Sequence, residues 1–374
     1  MTTMGLPRFT PSELGRLLTA PYSAEEFSPL DGPGVLLLDL TASSESDLRL
    51  WQSVLEDRLS SLPCITIALE AETSNIKADE CPSARALALA CDVALLESED
   101  ANAFVGGFKE TPIAALAFVQ LLRCSPPTSI YAGLLAESFV YSTLQSGAEF
   151  QAWLSSRAGE RAGGRGFPRR KNSRDVQPAT GPACRLQREA NRLEITFSRP
   201  EKHNAFSRQM RDSLVEGLQL AIADPSINEV VLRGEGASFC SGGDLDEFGT
   251  ADNPAHAHIV RTSRSPAHSI AQLEGRIRAE VHGACLGAGV ELPAFMNHVV
   301  ASEDAYFQLP EVAMGLIPGA GGTVSLPRRI GRQKTAWLGL SGNRIEAEKA
   351  LTWGLVDEIR LGPRVAGRGS EERP

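Results

Sequence analysis

The 374 residues contain no run that could cross a membrane: the longest near-apolar stretch, 112–122, is too short and is broken by Gln120. No secretory leader is expected either, because Pro7, Arg8, Pro11, Glu13 and Glu25 interrupt the first thirty residues. Cysteine is sparse and odd in number, seven residues scattered without a C-x-x-C pair, which argues against a disulfide framework and predicts a reducing, cytoplasmic setting. The six histidines do not combine with them at metal-ligand spacing. The pair His256 and His258 reads as surface residues, and no metal is expected. Positive charge is in deficit, 37 Lys and Arg against 46 Asp and Glu, and a net charge of -9 excludes nucleic acid as the main partner. Against these absences stand a hydrophobic share of 42% and a mean hydropathy of -0.13, enough for well-formed cores. The length suits about two domains.

A basic stretch divides the chain. Arg157, Arg161, Arg165, Arg169, Arg170, Lys171 and Arg174 stand among glycines and prolines with Phe167 as almost the only apolar residue. Such a segment cannot bury enough surface to fold alone, so 156–184 is predicted as a linker between a domain at 1–155 and a domain at 185–374. In the second domain Leu193, Ile195 and Phe197 alternate as a strand. Met210, Leu214, Leu218, Ala221 and Ile222 recur at helical spacing up to Asp224-Pro225. Val230, Val231 and Leu232 form a short buried strand, and Ile277, Ala279 and Val281 alternate into a glycine-rich turn. This is an α/β pattern with parallel pairing and a site at the strand ends. The first domain repeats the rhythm: strands near 34–40, 64–68 and 92–96, with helices to about Leu59 and over 84–90. Glu97-Ser-Glu-Asp-Ala101 also echoes Ala301-Ser-Glu-Asp-Ala305, and the echo predicts a degenerate internal duplication.

Three segments of the second domain carry residues suited to chemistry. In Phe239-Cys-Ser-Gly-Gly-Asp-Leu245, Gly242 and Gly243 let main-chain N–H groups approach a ligand closely. In His282-Gly-Ala-Cys-Leu-Gly-Ala-Gly-Val-Glu-Leu292 the chain leaves a strand and is predicted to open a helix with Pro293 in its first turn, placing the Ala288 N–H where negative charge is favoured. Two such donors meeting at one oxygen would form an oxyanion hole worth about 2.7–4 kcal/mol per donor. The third segment, 308–322, adds Glu311 to Glu291. Paired carboxylates beside an oxyanion hole suit acid–base work on a carbonyl compound that becomes an enolate. The dinucleotide and P-loop fingerprints are absent.

From about 185 to 359 these motifs resemble the enoyl-CoA hydratase/isomerase (crotonase) superfamily. The likeness opens with Arg199-Pro-Glu-Lys-His-Asn-Ala-Phe206 and runs through the Ser-Gly-Gly-Asp-Leu loop, the loop ending in Glu291, and Leu-Pro-Glu311 with Gly319-Ala-Gly-Gly322. It closes with 341–357. The resemblance implies a ββα spiral core, an acyl-CoA thioester substrate and no separate cofactor. It gives the Gly243 and Ala288 N–H groups the thioester oxygen, although family members usually have glycine where Ala288 stands. It gives Glu291 and Glu311 the roles of the two hydratase carboxylates, and places Lys202, Ser241, Asp244 and Leu245 at the adenosine end of coenzyme A. A trimer or pair of trimers is implied as well. The leading expectation is a lyase adding water to a 2-enoyl-CoA. Isomerisation, thioester hydrolysis, cofactor-free oxygenation and plain acyl-CoA binding are the alternatives, because one scaffold serves many reactions. Two departures stand out. Only seventeen residues follow Asp357, where family members continue with helices covering the acyl site, so either the first half supplies that cover or the site stays open. The first half has no glycine in 72–80 and no matching Pro-Glu, and is expected to be catalytically silent. The loop 250–266, with His256, His258 and Arg261, lies where the family shapes its acyl pocket.

Overall fold

The computed structural model describes residues 6–41, 43–72, 81–124, 129–162 (main chain alone for 159–162), 181–251 and 253–360. The first half forms one parallel sheet in the order β1 (Arg8–Phe9), β2 (Val35–Asp39), β3 (Ile65–Glu70), β4 (Val93–Leu96). Side chains alternate across its plane. Val35, Leu37, Ile65, Ile67 and Leu69 enter one core, whereas Leu36, Leu38 and Ala68 enter another, under the helices Pro11–Leu18, Glu45–Leu59 and Pro82–Ala90. Burial on both faces is why these strands read as continuous apolar runs.

The second half contains β5 (Cys184–Glu189), β6 (Arg192–Phe197), β7 (Glu229–Gly234), β8 (Ser238–Cys240), β9 (Ile277–Val281), β10 (Ala284–Leu286), β11 (His298–Ser302), β12 (Tyr306–Gln308), β13 (Ile345–Glu346) and β14 (Glu358–Arg360). A six-stranded sheet runs β14-β11-β9-β7-β6-β5 and a four-stranded sheet β13-β12-β10-β8. Three times a long strand of the first sheet passes at once to a short strand of the second: β7 to β8, β9 to β10, β11 to β12. That is the expected ββα spiral.

In the first half the chain instead leaves β2 and β4 directly for helices, Glu45–Leu59 and Ala101–Gly106, and among the described residues no second sheet accompanies the first. The two copies of the Ser-Glu-Asp echo accordingly diverge. One turns into a helix capped by Asp100, the other into β12.

Two boundaries differ from the sequence reading. Residues 156–162 continue the helix Ala148–Ala162, with the Arg157 guanidinium 5.7 Å from the centre of the Trp153 ring, so Arg157 and Arg161 are helical rather than linker. Residues 163–180 lie outside the described residues. Nor is the first half closed on itself. The face of its sheet bearing Ile67 shares a core with Phe118 and Val119 of the helix Pro112–Cys124, and with Leu316, Ile317, Ala336 and Leu340 of the second half. At the edge of this seam the buried Asp92 carboxylate takes bonds from Arg123 of its own half (2.6 and 2.9 Å) and meets Arg332 of the other at 3.3 Å. All seven cysteines are unpaired, and no described helix is long and apolar enough to cross a membrane.

Candidate active site

The glycine-rich segments meet at a cavity of about 770 Å³. Its first edge is set by the 199–206 turn. The fully buried Asn204 side chain donates to the carbonyls of Glu235 (2.8 Å) and Ser238 (2.9 Å) and accepts from the Arg199 N–H, fastening this turn to β8. Phe206 then donates to the Gly242 carbonyl and accepts from the Asp244 N–H. This pairing steps over Gly243, whose amide has no main-chain acceptor among the described residues.

The second edge follows β10. Gly287 takes φ +48° and introduces a single helical turn, Ala288–Glu291. The helix expected to carry Pro293 in its first turn stops there, and Pro293 starts a separate 3-10 turn. Gly287 has a steric reason to be glycine: a Cβ there would lie 2.3 Å from Glu311 Oε1. Gly243, Asp244, Ala288, Glu291 and Glu311 all line the cavity.

The two carboxylates are held differently. Glu291, 2% exposed, accepts through one oxygen, Oε2, from the Ala320 N–H (2.7 Å) and the Gly322 N–H (2.8 Å). Glu311 Oε2 is buried with no donor. A third carboxylate, absent from the sequence reading, comes from the first half. Glu137 of the helix Ile130–Gln145, 3% exposed, accepts from the N–H of Gly321 (2.8 Å) and from the N–H (3.0 Å) and hydroxyl (2.7 Å) of Thr323. Burial pushes all three above the ordinary carboxylate range. Glu311 and Glu137 drive Glu291 further up against the pull of its two amide donors, and Glu137 also raises Glu311. The titrations of the three groups are therefore coupled.

The 130–145 helix forms a wall of the cavity with Tyr131, Leu134, Ser138 and Tyr141, so the first half covers the site. Beside it, 254–263 is a helix rather than the expected loop, started by Pro254 and capped by Asn253. From it Arg261 lies over the Tyr141 ring (4.6 Å) and donates to Ser138, Ser142 and Gln145. His258 bonds Ser138 Oγ at 2.9 Å and stacks on Phe139.

The residues expected at the coenzyme end are less uniform. Lys202 is 3.0 Å from Asp244 and 3.9 Å from Asp246, so its ammonium is already paired, and Asp244 reaches the cavity. Ser241, whose N–H is bonded to the His203 carbonyl, and Leu245 flank the site without lining the cavity. Arg261 falls in the segment expected to shape the acyl pocket, whereas Glu137 and Tyr141 escape sequence reasoning because their partners lie far along the chain. The polar positions Glu137, Ser138, Tyr141 and Ser142 inside an otherwise apolar helix were the one available signal.

Residues 187–365 match the model of the enoyl-CoA hydratase/isomerase family. The 2,3-dehydroadipyl-CoA hydratase of Escherichia coli (strain K12) is 35% identical over 46% of this chain and 68% of its own length. The 1,2-epoxyphenylacetyl-CoA isomerase of the same organism is 33% identical over 45% of this chain and 65% of its own. Among solved structures, the enoyl-CoA hydratase of Thermoplasma volcanium GSS1 is 31% identical, covering 48% of this chain and 72% of that one, with a TM-score of 0.45. The chain thus spans about two thirds of the length of such relatives. By its spiral core, its matched segments and this shared identity, the chain belongs to the enoyl-CoA hydratase/isomerase family, as an enzyme.

Proposed function

We propose that the protein is a hydro-lyase that adds water across the double bond of a 2-enoyl-CoA thioester. The observation that carries this reading is the presence of Glu291 and Glu311 on one cavity with Gly243 and Ala288, whose N–H groups have no main-chain acceptor among the described residues. In this reading the two amides receive the thioester oxygen, and stabilising its developing charge makes C3 electrophilic. Glu291 accepts a proton from water as the new C3–O bond forms, and Glu311 gives its proton to C2 as the enolate collapses. The bonding partners suit these roles. Two N–H donors on Glu291 Oε2 stabilise the anion when its proton leaves, although burial, Glu311 and Glu137 outweigh them in the free site, and the donorless Glu311 Oε2 favours a neutral acid. After each turnover the proton gained by Glu291 returns to Glu311 by exchange through solvent, which restores the starting state, and every atom added to the substrate comes from water. Lys202, with Asp244, Ser241 and Leu245 around it, would meet the adenosine end of coenzyme A.

Glu311→Gln is expected to lower the turnover of crotonyl-CoA hydration by about 10²–10⁴-fold, with acyl-CoA affinity measured by calorimetry nearly unchanged. Near-wild-type turnover in that variant would refute the acid assignment. Binding without hydration by the wild-type protein, under air and under nitrogen alike, would point to a binder, and product formed only under air to an oxygenase.

A further inference from the structure

Four consecutive amides, 320 to 323, are shared alternately by two carboxylates from opposite halves of the chain. The N–H groups of Ala320 and Gly322 go to Glu291, and those of Gly321 and Thr323 to Glu137. They belong to the turn entering the helix Gly322–Ile330 and to its first residues, which have no carbonyl partner within the helix. Because neighbouring amides in one short turn cannot move independently, any shift of Gly321 or Thr323 relocates the donors of Glu291. Space is also tight: a Cβ on Gly322 would lie 2.7 Å from Glu291 Cγ. We propose that Glu137 is a positioning residue of the reaction, holding the 320–323 amides, and through them Glu291, so that the first half completes the acid–base machinery rather than merely roofing it. This rests on Glu291 and Glu311 being the reacting pair.

Bonding alone does not require a charge at this position. A glutamine could accept from Gly321, and the Thr323 hydroxyl could turn to meet its amide. A buried carboxylate adds negative charge beside Glu291 and Glu311, which favours retention of a proton by that pair. Tyr141 of the same helix and Arg261 of the 254–263 helix act on Glu137 electrostatically, His258 of that helix bonds its neighbour Ser138, and His268 of the helix Pro266–Gln272 packs on Tyr131. Of these, Arg261 partly offsets its charge, and burial holds the Tyr141 phenol neutral. The arginines of the 322–330 helix, Arg328 and Arg329, sit at its far end.

The test is the pH profile of kcat/KM for crotonyl-CoA hydration in the wild type, Glu137→Gln and Glu137→Asp. Removing the charge lowers the hold on the donated proton, so the alkaline limb of Glu137→Gln should move to lower pH by about one unit, with KM changed less than about threefold. Glu137→Asp keeps the charge but shortens the reach. It should leave the limb in place and lower kcat at every pH. Wild-type kcat in Glu137→Asp overturns the proposal, because the shortened carboxylate cannot hold the Gly321 and Thr323 amides where Glu291 needs them, and so does a uniform loss in Glu137→Gln with no shift of the limb, which is the mark of a merely structural role. Should the glutamine variant not fold, a displaced limb in Glu137→Asp overturns it equally. Loss of hydration in Glu311→Gln is the separate control: retained activity there would sink the reacting pair itself, whatever Glu137 does.

Discussion

Both halves of this chain build parallel α/β sheets, and they differ in what happens at the strand ends. In the second half each of β7, β9 and β11 hands the chain to a short strand of a second sheet. Gly243 and Ala288, after β8 and β10, line a cavity, and neither N–H has a main-chain acceptor among the described residues. In the first half side chains close those ends. Asp39, the last residue of β2, accepts from the Thr41 N–H (3.0 Å) and hydroxyl (2.6 Å), and Asp100 after β4 caps a helix. Parallel sheets place their functional loops at such ends. One half keeps them open for a ligand, and the other satisfies them internally and lends its helices as a wall.

The sharpest way to break the comparison is to test whether the halves are separate bodies at all. Asp92 is 1% exposed between Arg123 and Arg332, and Arg332 also donates to the carbonyls of Leu89 and Cys91 at the end of the 82–90 helix. Asp92→Ala leaves Arg123 buried without its partner and is expected to cost about 3–5 kcal/mol in urea unfolding. Because one core spans both halves, fluorescence and far-ultraviolet circular dichroism should report a single transition. Two well-separated transitions would show that the halves fold independently.

A smaller effect distinguishes the halves by pH. At the site, burial raises Glu137, Glu291 and Glu311, so the folded state binds their protons more tightly than the unfolded chain. As pH rises past the ordinary carboxylate range the unfolded chain loses protons first, and stability falls until the folded groups titrate in turn. Asp39 has the opposite sign. Burial pushes it up, but bonds from Thr41 and Arg8 outweigh that and lower it, so its contribution is present near neutrality and lost in acid. Melting temperatures from pH 4 to 9 should therefore fall less steeply with pH in Glu311→Gln than in wild type, and fall less on acidification in Asp39→Asn. Equal alkaline slopes for wild type and Glu311→Gln would show that Glu311 is not held above its ordinary range.

The second half was legible because its determinants are local: glycines beside the strands they end, and carboxylates within the matched motifs. Strand and helix periodicity also located the first-half sheet, since its two-sided burial leaves long apolar runs at 35–38 and 65–69. What the pattern could not carry was contact across the seam. Leu316 and Phe118 look like core residues of separate domains, and only the fold shows them in one core. Glu137 was hidden for the same reason, because its partners lie 184 and 186 positions away. The basic run misled at Arg157 because Trp153 and the alanines around it sustain another turn of helix before the glycines begin.

The Ser-Glu-Asp echo supplies the finest test, because identical residues at the two sites have come to do different work. In the first half the Asp100 carboxylate accepts from the N–H of Asn102 (2.9 Å) and Ala103 (3.1 Å), satisfying donors at the start of the helix Ala101–Gly106. In the second half Asp304 is exposed and, among the described residues, accepts only from the hydroxyl of Ser302 in the turn between β11 and β12. Asp100→Ala should cost about 1 kcal/mol, the usual value of a helix N-cap. Asp304→Ala should fall within about 0.5 kcal/mol of wild type, as for most surface changes. Neither should alter crotonyl-CoA turnover. Equal losses at the two positions in urea titrations would mean that the two Ser-Glu-Asp segments play the same structural role despite their different strand ends.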